Sequence, residues 1–159
     1  MAGHVVAIFV TLEAGAPMRS VETAVAVAGA GLDGDRYRTG TGFYSATPTT
    51  PGARELTLIA EEALAELARD GFPLAPGEHR RNIATRGVDL DPLLGRRFRI
   101  GGVLCEGVRA CPPCNHLEEL TGKAVLKPMV DRGGLRARIV EGGTIRAGDQ
   151  ITIEESVDA

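Results

Sequence analysis

Residues 135–154 read Leu-Arg-Ala-Arg-Ile-Val-Glu-Gly-Gly-Thr-Ile-Arg-Ala-Gly-Asp-Gln-Ile-Thr-Ile-Glu. Leu135, Ala137 and Ile139 alternate with Arg136 and Arg138, the period-2 pattern of a strand with one buried face. Gly142-Gly143 and Gly148-Asp149 supply turn chemistry, and Gln150–Glu154 alternates again, so the segment predicts closing strands joined as hairpins. The same signals recur upstream. Val5–Leu12, Val21–Ala28, Arg81–Thr85 and Arg96–Ile100 read as short strands, and Gly101-Gly102 as a hairpin into Val103–Val108. One segment breaks the pattern. Ala60, Ala63, Leu64, Leu67 and Ala68 fall on one helical stripe, with Glu61, Glu62, Glu66 and Arg69 off it and Gly71 placed as a stop. Asn115 and Glu118 have capping-box spacing for a second, short helix ending near Gly122. Many short strands with few helices predict a mainly β domain with a curved sheet or barrel core. From Phe43 to Ala53 the Ser/Thr/Pro/Gly-rich composition predicts a long irregular loop lying over a site.

The chain has 159 residues, so a single domain spanning 1–159 is expected. A hydrophobic fraction of 43% and a mean hydropathy of zero exclude a disordered chain. The net charge of −3 argues against generic nucleic-acid binding, and no apolar run has the length of a membrane-spanning helix. Charge is nevertheless segregated: residues 1–79 carry 5 basic and 10 acidic groups, whereas 80–147 carry 13 and 7. A positive central segment in an acidic protein fits a local anion site, although a chance scatter of charges reads the same. Three cysteines, Cys105, Cys111 and Cys114, do not make a disulfide framework, and reduced thiols point to the cytoplasm.

Gly29-Ala-Gly31-Leu-Asp-Gly34 has dinucleotide-loop spacing, but Asp33 and Asp35 would repel a pyrophosphate, so a tight turn is the better reading. Its Gly34-Asp35-Arg36 end places a carboxylate beside a guanidinium, suited to positioning a polar ligand or, more commonly, to locking a loop. Cys111-Pro-Pro-Cys114 carries the most chemistry. A dithiol redox pair, a zinc site using Cys105, Cys111, Cys114 and His116 or His79, and a single reactive thiol all fit the spacing. In the last case, a helix beginning at Asn115 and the nearby Arg109 would favour the Cys114 thiolate. A buried, inert cysteine is the bland alternative, best suited to Cys105. Arg80-Arg81-Asn82 presents planar donors and an amide able to grip an anion, although arginines at a strand edge usually serve as solvated charges. His79 and His116 read as surface residues.

Taken in order, Gly31-Leu-Asp-Gly34-Asp35-Arg36-Tyr37, Glu55-Leu-Thr-Leu-Ile59, Arg80-Arg81-Asn82-Ile83-Ala84-Thr85-Arg86-Gly87, Leu94-Gly95-Arg96-Arg97-Phe98, Cys111-Pro-Pro-Cys114, Gly133-Gly134-Leu135-Arg136-Ala137 and Gly142-Gly143-Thr144-Ile145 resemble the MOSC family. That family is named for the C-terminal domain of molybdenum cofactor sulfurases. The resemblance implies a barrel-like β domain with a few short α-helices. It also implies a cysteine that carries persulfide sulfur or ligates molybdenum in the pterin cofactor, and Cys114, followed by Leu120-Thr121-Gly122, matches that position. Asp35, Arg36, Arg81 and Asn82 are the matching cofactor-binding positions, joined by Arg109. A cysteine desulfurase or a molybdoenzyme is the implied partner. Pyridoxal phosphate is not expected in this chain. The competing expectation is a zinc-stabilised or small-molecule-binding interaction module without catalysis.

Overall fold

The computed structural model describes residues 3–13, 15–36, 52–113 and 115–154. Eleven strands are present among them: β1 (Gly3–Val10), β2 (Arg19–Val21), β3 (Thr23–Val27), β4 (Gly31–Leu32), β5 (Leu56–Ala60), β6 (Ile83–Arg86), β7 (Arg97–Ile100), β8 (Val103–Ala110), β9 (Leu135–Glu141), β10 (Gly143–Arg146) and β11 (Gln150–Ile153). Helix α1 spans Glu61–Arg69 and α2 spans Asn115–Thr121. The strands run β11-β7-β8-β9-β5-β6-β1, and a β1–β11 pairing closes them into a seven-stranded barrel with β2 appended to β1. Closure removes the open edges that would otherwise template aggregation. Among the described strands of the barrel, β5 and β6 pair in parallel, because α1 lies between them and carries the chain across.

The barrel interior follows the alternation of its strands. Leu56 and Leu58 of β5, Ile83 of β6, Phe98 and Ile100 of β7, and Ala137 and Ile139 of β9 all fill it. A smaller core lies outside, where Ile59 of β5, Leu67 of α1, Leu117 of α2, Val125 and Met129 are buried together. That second cluster is what seats α2 against the barrel. Leu67 is the buried member of the α1 stripe, and Gly71, at φ 95°, takes the left-handed backbone that ends the helix region.

Two expectations need correction. Gly142-Gly143 does not turn a hairpin: β9 pairs with β5 and β8, whereas β10 pairs with β3 in a separate three-stranded sheet, β10-β3-β4. Likewise β11, after Gly148-Asp149, pairs with β1 and β7 and not with β10. The glycines change the chain's direction toward another sheet. The Gly101-Gly102 hairpin is present, with Ile100 opposite Val103. The expected strand over 21–28 divides into β2 and β3, and the expected strand from Arg81 starts at Ile83, leaving Arg81 and Asn82 in the connection before it. Gly31–Leu32 pairs with β3, so the glycine-spaced run includes a short strand at a turn. The loop expected over Phe43–Ala53 lies outside the described residues except at its last two positions.

Candidate functional site

The connection 72–82 delivers His79, Arg80, Arg81 and Asn82 to one end of the barrel, where the turn after β8 and the Gly133-Gly134 entry to β9 also arrive. Arg80 has a positive φ of 66°, unusual for a side-chain-bearing residue, so successive side chains in this connection diverge. Arg81 points inward and is 6% exposed. Its Nε donates to the Gly133 carbonyl at 2.7 Å and its Nη1 to the His79 carbonyl at 2.8 Å. Its Nη2 donates to the carbonyls of Cys111 at 2.9 Å and Pro112 at 3.2 Å. One guanidinium therefore ties together three segments distant in sequence. Gly133 is required at this junction: a Cβ there would stand 2.1 Å from the Cys111 oxygen and 3.2 Å from Arg81 Nη2.

Asn82 is buried too and acts as a staple. Its Oδ1 accepts from the Thr57 amide and hydroxyl, both at 3.1 Å, and its Nδ2 donates to the Phe9 carbonyl at 3.1 Å. Three of the four hydrogen-bonding positions of its amide are thus spent on β1 and β5. Asp35 and Arg36 pair with each other at 3.1 Å while buried, Asp35 Oδ1 also accepting from the Thr11 amide. Arg36 Nη2 reaches the Arg80 carbonyl at 3.3 Å, which joins this turn to the 79–82 connection. Arg109 stands apart, exposed near the end of β8 and opposite Arg136 of β9.

His79, expected at the surface, is 1% exposed. Its Nδ1 accepts the Arg81 amide at 2.9 Å, and its ring meets Phe9 edge-on at a centroid distance of 5.2 Å. Burial, aided by the Arg81 charge, pushes its pKa down to about 3, so the ring is neutral. His116, in the first turn of α2, is half-buried; the sequence offered it as a zinc ligand or a surface residue and not as a neighbour of Arg36 and Arg80. Burial and then the Arg80 charge hold its pKa below the ordinary histidine value, with Glu119 opposing and Arg36 assisting. The Arg36–Arg80 carbonyl bond joins those two residues, and the charges of both act on the His116 ring. The Arg80-Arg81-Asn82 run and the 13-to-7 excess of basic groups in residues 80–147 were the available signals, and neither pointed to His116.

Cys114 lies outside the described residues. Cys105 is wholly buried in the barrel core, where desolvation, reinforced by Glu55, pushes its thiol up to about 12 and makes it inert. Cys111 is 3% exposed, its amide donating to the Gly134 carbonyl at 2.9 Å. Its turn walls a cavity of about 330 Å³ completed by Pro112, Pro113, Leu126, Val130 and Asp131. Glu118 accepts the Leu126 amide at 2.9 Å and holds the chain that follows α2. Among the described residues, no group of three or more His, Cys, Asp or Glu side chains is placed to hold a metal ion. No helix among them is long and apolar enough to cross a membrane.

The family model described as MOSC domain matches residues 31–152. Among solved structures, the YuaD protein from Bacillus subtilis is similar in fold, with a TM-score of 0.78 at 18% identity over 96% of each chain. YiiM from Geobacillus stearothermophilus gives a TM-score of 0.71 at 18% identity, covering 99% of this chain and 78% of that one. YiiM from Escherichia coli gives 0.69 at 19% identity, covering 100% and 72%. No curated protein matches the chain in sequence.

Proposed function

The chain belongs to the MOSC domain family, and on that premise we propose that Cys114 is its working thiol, carrying persulfide sulfur or ligating molybdenum in a pterin cofactor. The observation that carries the reading is the bond from Arg36 Nη2 to the Arg80 carbonyl at 3.3 Å, which brings two arginines together in a chain whose α2 begins directly after Cys114 in sequence. A cationic neighbourhood favours thiolate over thiol and attracts an anionic partner. In sulfur transfer, the Cys114 thiolate attacks the outer sulfur of a donor persulfide. The new S–S bond forms on Cys114 as the donor's S–S bond breaks, and the donor leaves as thiolate. The donor is a separate cysteine desulfurase, and the acceptor a molybdoenzyme or its cofactor.

Arg36 and Arg80 suit the phosphate of a pterin cofactor by charge, with the Asp35–Arg36 turn orienting the first of them. When bound, such a cofactor would supply redox chemistry at molybdenum; the chain's own contribution is the thiol and the cations around it. Arg81 and Asn82 serve this site by shaping it, since their donors go to backbone carbonyls. Arg109 contributes from the exposed end of β8 as a steering charge.

Incubation with a cysteine desulfurase and cysteine, followed by peptide-resolved mass spectrometry, tests the reading. A persulfide is expected on Cys114, abolished in Cys114→Ala and retained in Cys111→Ala. Neither persulfide nor bound molybdenum cofactor in the wild-type protein would end it.

A further inference from the structure

The cavity of about 330 Å³ beside Cys111 has a character that the sulfur chemistry does not use. One wall is the turn formed by Cys111, Pro112 and Pro113, and the other is Leu126, Val130 and Asp131. Both walls are held from behind. Arg81 grips the Cys111 and Pro112 carbonyls, while Val125 and Met129, both fully buried, root the second wall in the outer core. Glu118 adds its bond to the Leu126 amide. The cavity is thus formed before any ligand arrives, which spares binding the cost of ordering its walls. Pro112, Pro113, Leu126 and Val130 make its surface largely apolar, and Val130 is 57% exposed beside it. Small-molecule sites are commonly apolar hollows of about 300–1,000 Å³ with a few placed polar groups.

The polar groups here carry one sign. Asp91 and Asp131 line this cavity and also a neighbouring one of about 400 Å³ between α1 and the loop after β6, so the two hollows meet at those residues and at Gly134. The second hollow adds Glu62, Glu66 and Asp89. Arg132, the one guanidinium among its described lining residues, is paired with Asp70 at 2.8 Å. An anion entering the apolar hollow meets like charge at its side, and a cation meets a complementary potential. Asp131 has φ 64°, a conformation that glycine takes freely and that Asp and Asn tolerate better than other side chains. A carboxylate therefore stands where the backbone by itself favours no side chain. We propose that this cleft is a binding site for a small organic cation. Its aromatic or branched body fills the hollow at Pro112, Pro113, Leu126 and Val130, and its ammonium group lies at Asp91 and Asp131. The site stands independently of the sulfur chemistry proposed above.

The probe is phenethylammonium, titrated at neutral pH into the full chain and followed by NMR at the Leu126 and Val130 methyl groups. Phenylethanol supplies the same body without the charge, and methylammonium the charge without the body. Phenethylammonium is expected to bind at least about tenfold tighter than either, shifting the signals of both residues. Asp131→Asn keeps a residue that accepts the positive φ and removes the charge. Combined with Asp91→Asn, it should bring amine and alcohol to within about twofold of each other. Val130→Ser, at an already exposed position, should weaken both alike. Equal affinity of amine and alcohol for the wild-type protein would overturn the proposal, as would shifts confined to other residues or no saturable binding up to about 10 mM. An amine preference that survives the double variant would overturn it too. Should that variant fail to fold, phenylpropionate decides on the wild-type protein. The anion must bind at least about tenfold more weakly than the alcohol, and equal binding overturns the assignment.

Discussion

The barrel and the site at its end are held together by different means. Barrel strands hold one another through ladders of backbone hydrogen bonds, closed into a ring and filled by alternating apolar side chains. At the site, a few backbone bonds such as Cys111 N–H to the Gly134 carbonyl are supplemented by single side chains that cross between connections: Arg81 across three segments, Asn82 between β1 and β5, Asp35 and Arg36 against the loops at 11 and 80. A ladder spreads its stability over many residues, so losing one contact is tolerated. A side-chain fastener concentrates it, so one substitution can release a whole turn.

Where the two regimes meet, the largest effect is expected. Gly134 has φ 102°, and a Cβ there would lie 1.9 Å from the Leu58 carbonyl oxygen. Gly134→Ala should cost about 5 kcal/mol or prevent folding, since neither backbone can yield without unpairing β5 from β9; urea unfolding or soluble yield measures it. Within the barrel alone, Phe98→Ala should cost about 3–5 kcal/mol by urea denaturation through the cavity it leaves. Cys111 should stay protected from alkylation in that variant at low denaturant. Among the fasteners, Asn82→Ala should cost only about 2–3 kcal/mol, as three hydrogen bonds are lost and a buried carbonyl is orphaned. It should nonetheless expose Cys111 to alkylation in native buffer, a reversal of rank between stability and local opening. If Phe98→Ala opens Cys111 as readily, the two regions are one cooperative unit and the distinction fails.

The effect that is absent at neutral pH and appears only in acid concerns His79. Its folded pKa of about 3 lies below the ordinary value of 6.5, so the unfolded chain binds the extra proton as pH falls. The neutral ring therefore costs nothing above about pH 6.5, and stability declines between there and pH 3 by up to about 1.4 kcal/mol per unit from this group. His79→Asn keeps an acceptor for the Arg81 amide without a titrating ring. It should flatten the fall of melting temperature over that interval, and parallel curves for the two proteins would remove His79 as the cause.

The β-rich architecture was legible in the alternation of segments such as Leu135–Glu141, because one-sided burial imposes a period of two. Strand partners were not. Gly142-Gly143 looks like hairpin chemistry, yet β10 joins β3, and nothing local distinguishes a turn that folds back from one that leaves for another sheet. Arg81 and Asn82 were legible as polar residues with a purpose, but the purpose read from donor chemistry was anion contact. Their interior placement follows from where β6 starts and from the closure of the 111–113 and 133–134 turns, which are tertiary facts. The burial of His79 was hidden for the same reason: a Pro/Gly-rich connector normally runs over a surface, and here it is drawn in under Arg81 and against Phe9.

The pairing of β1 with β11, which sets Gly3 opposite Ile151, also fixes when the molecule can become itself. During synthesis the first strand leaves the ribosome long before its neighbour exists, and at about 5–20 residues per second the wait is many seconds. The ring cannot shut until β11 has been made, so closure waits for the whole span from Gly3 to Ile153. In that interval the flank of β1 that β11 will cover is an unpaired strand edge, the kind of surface that templates wrong pairings.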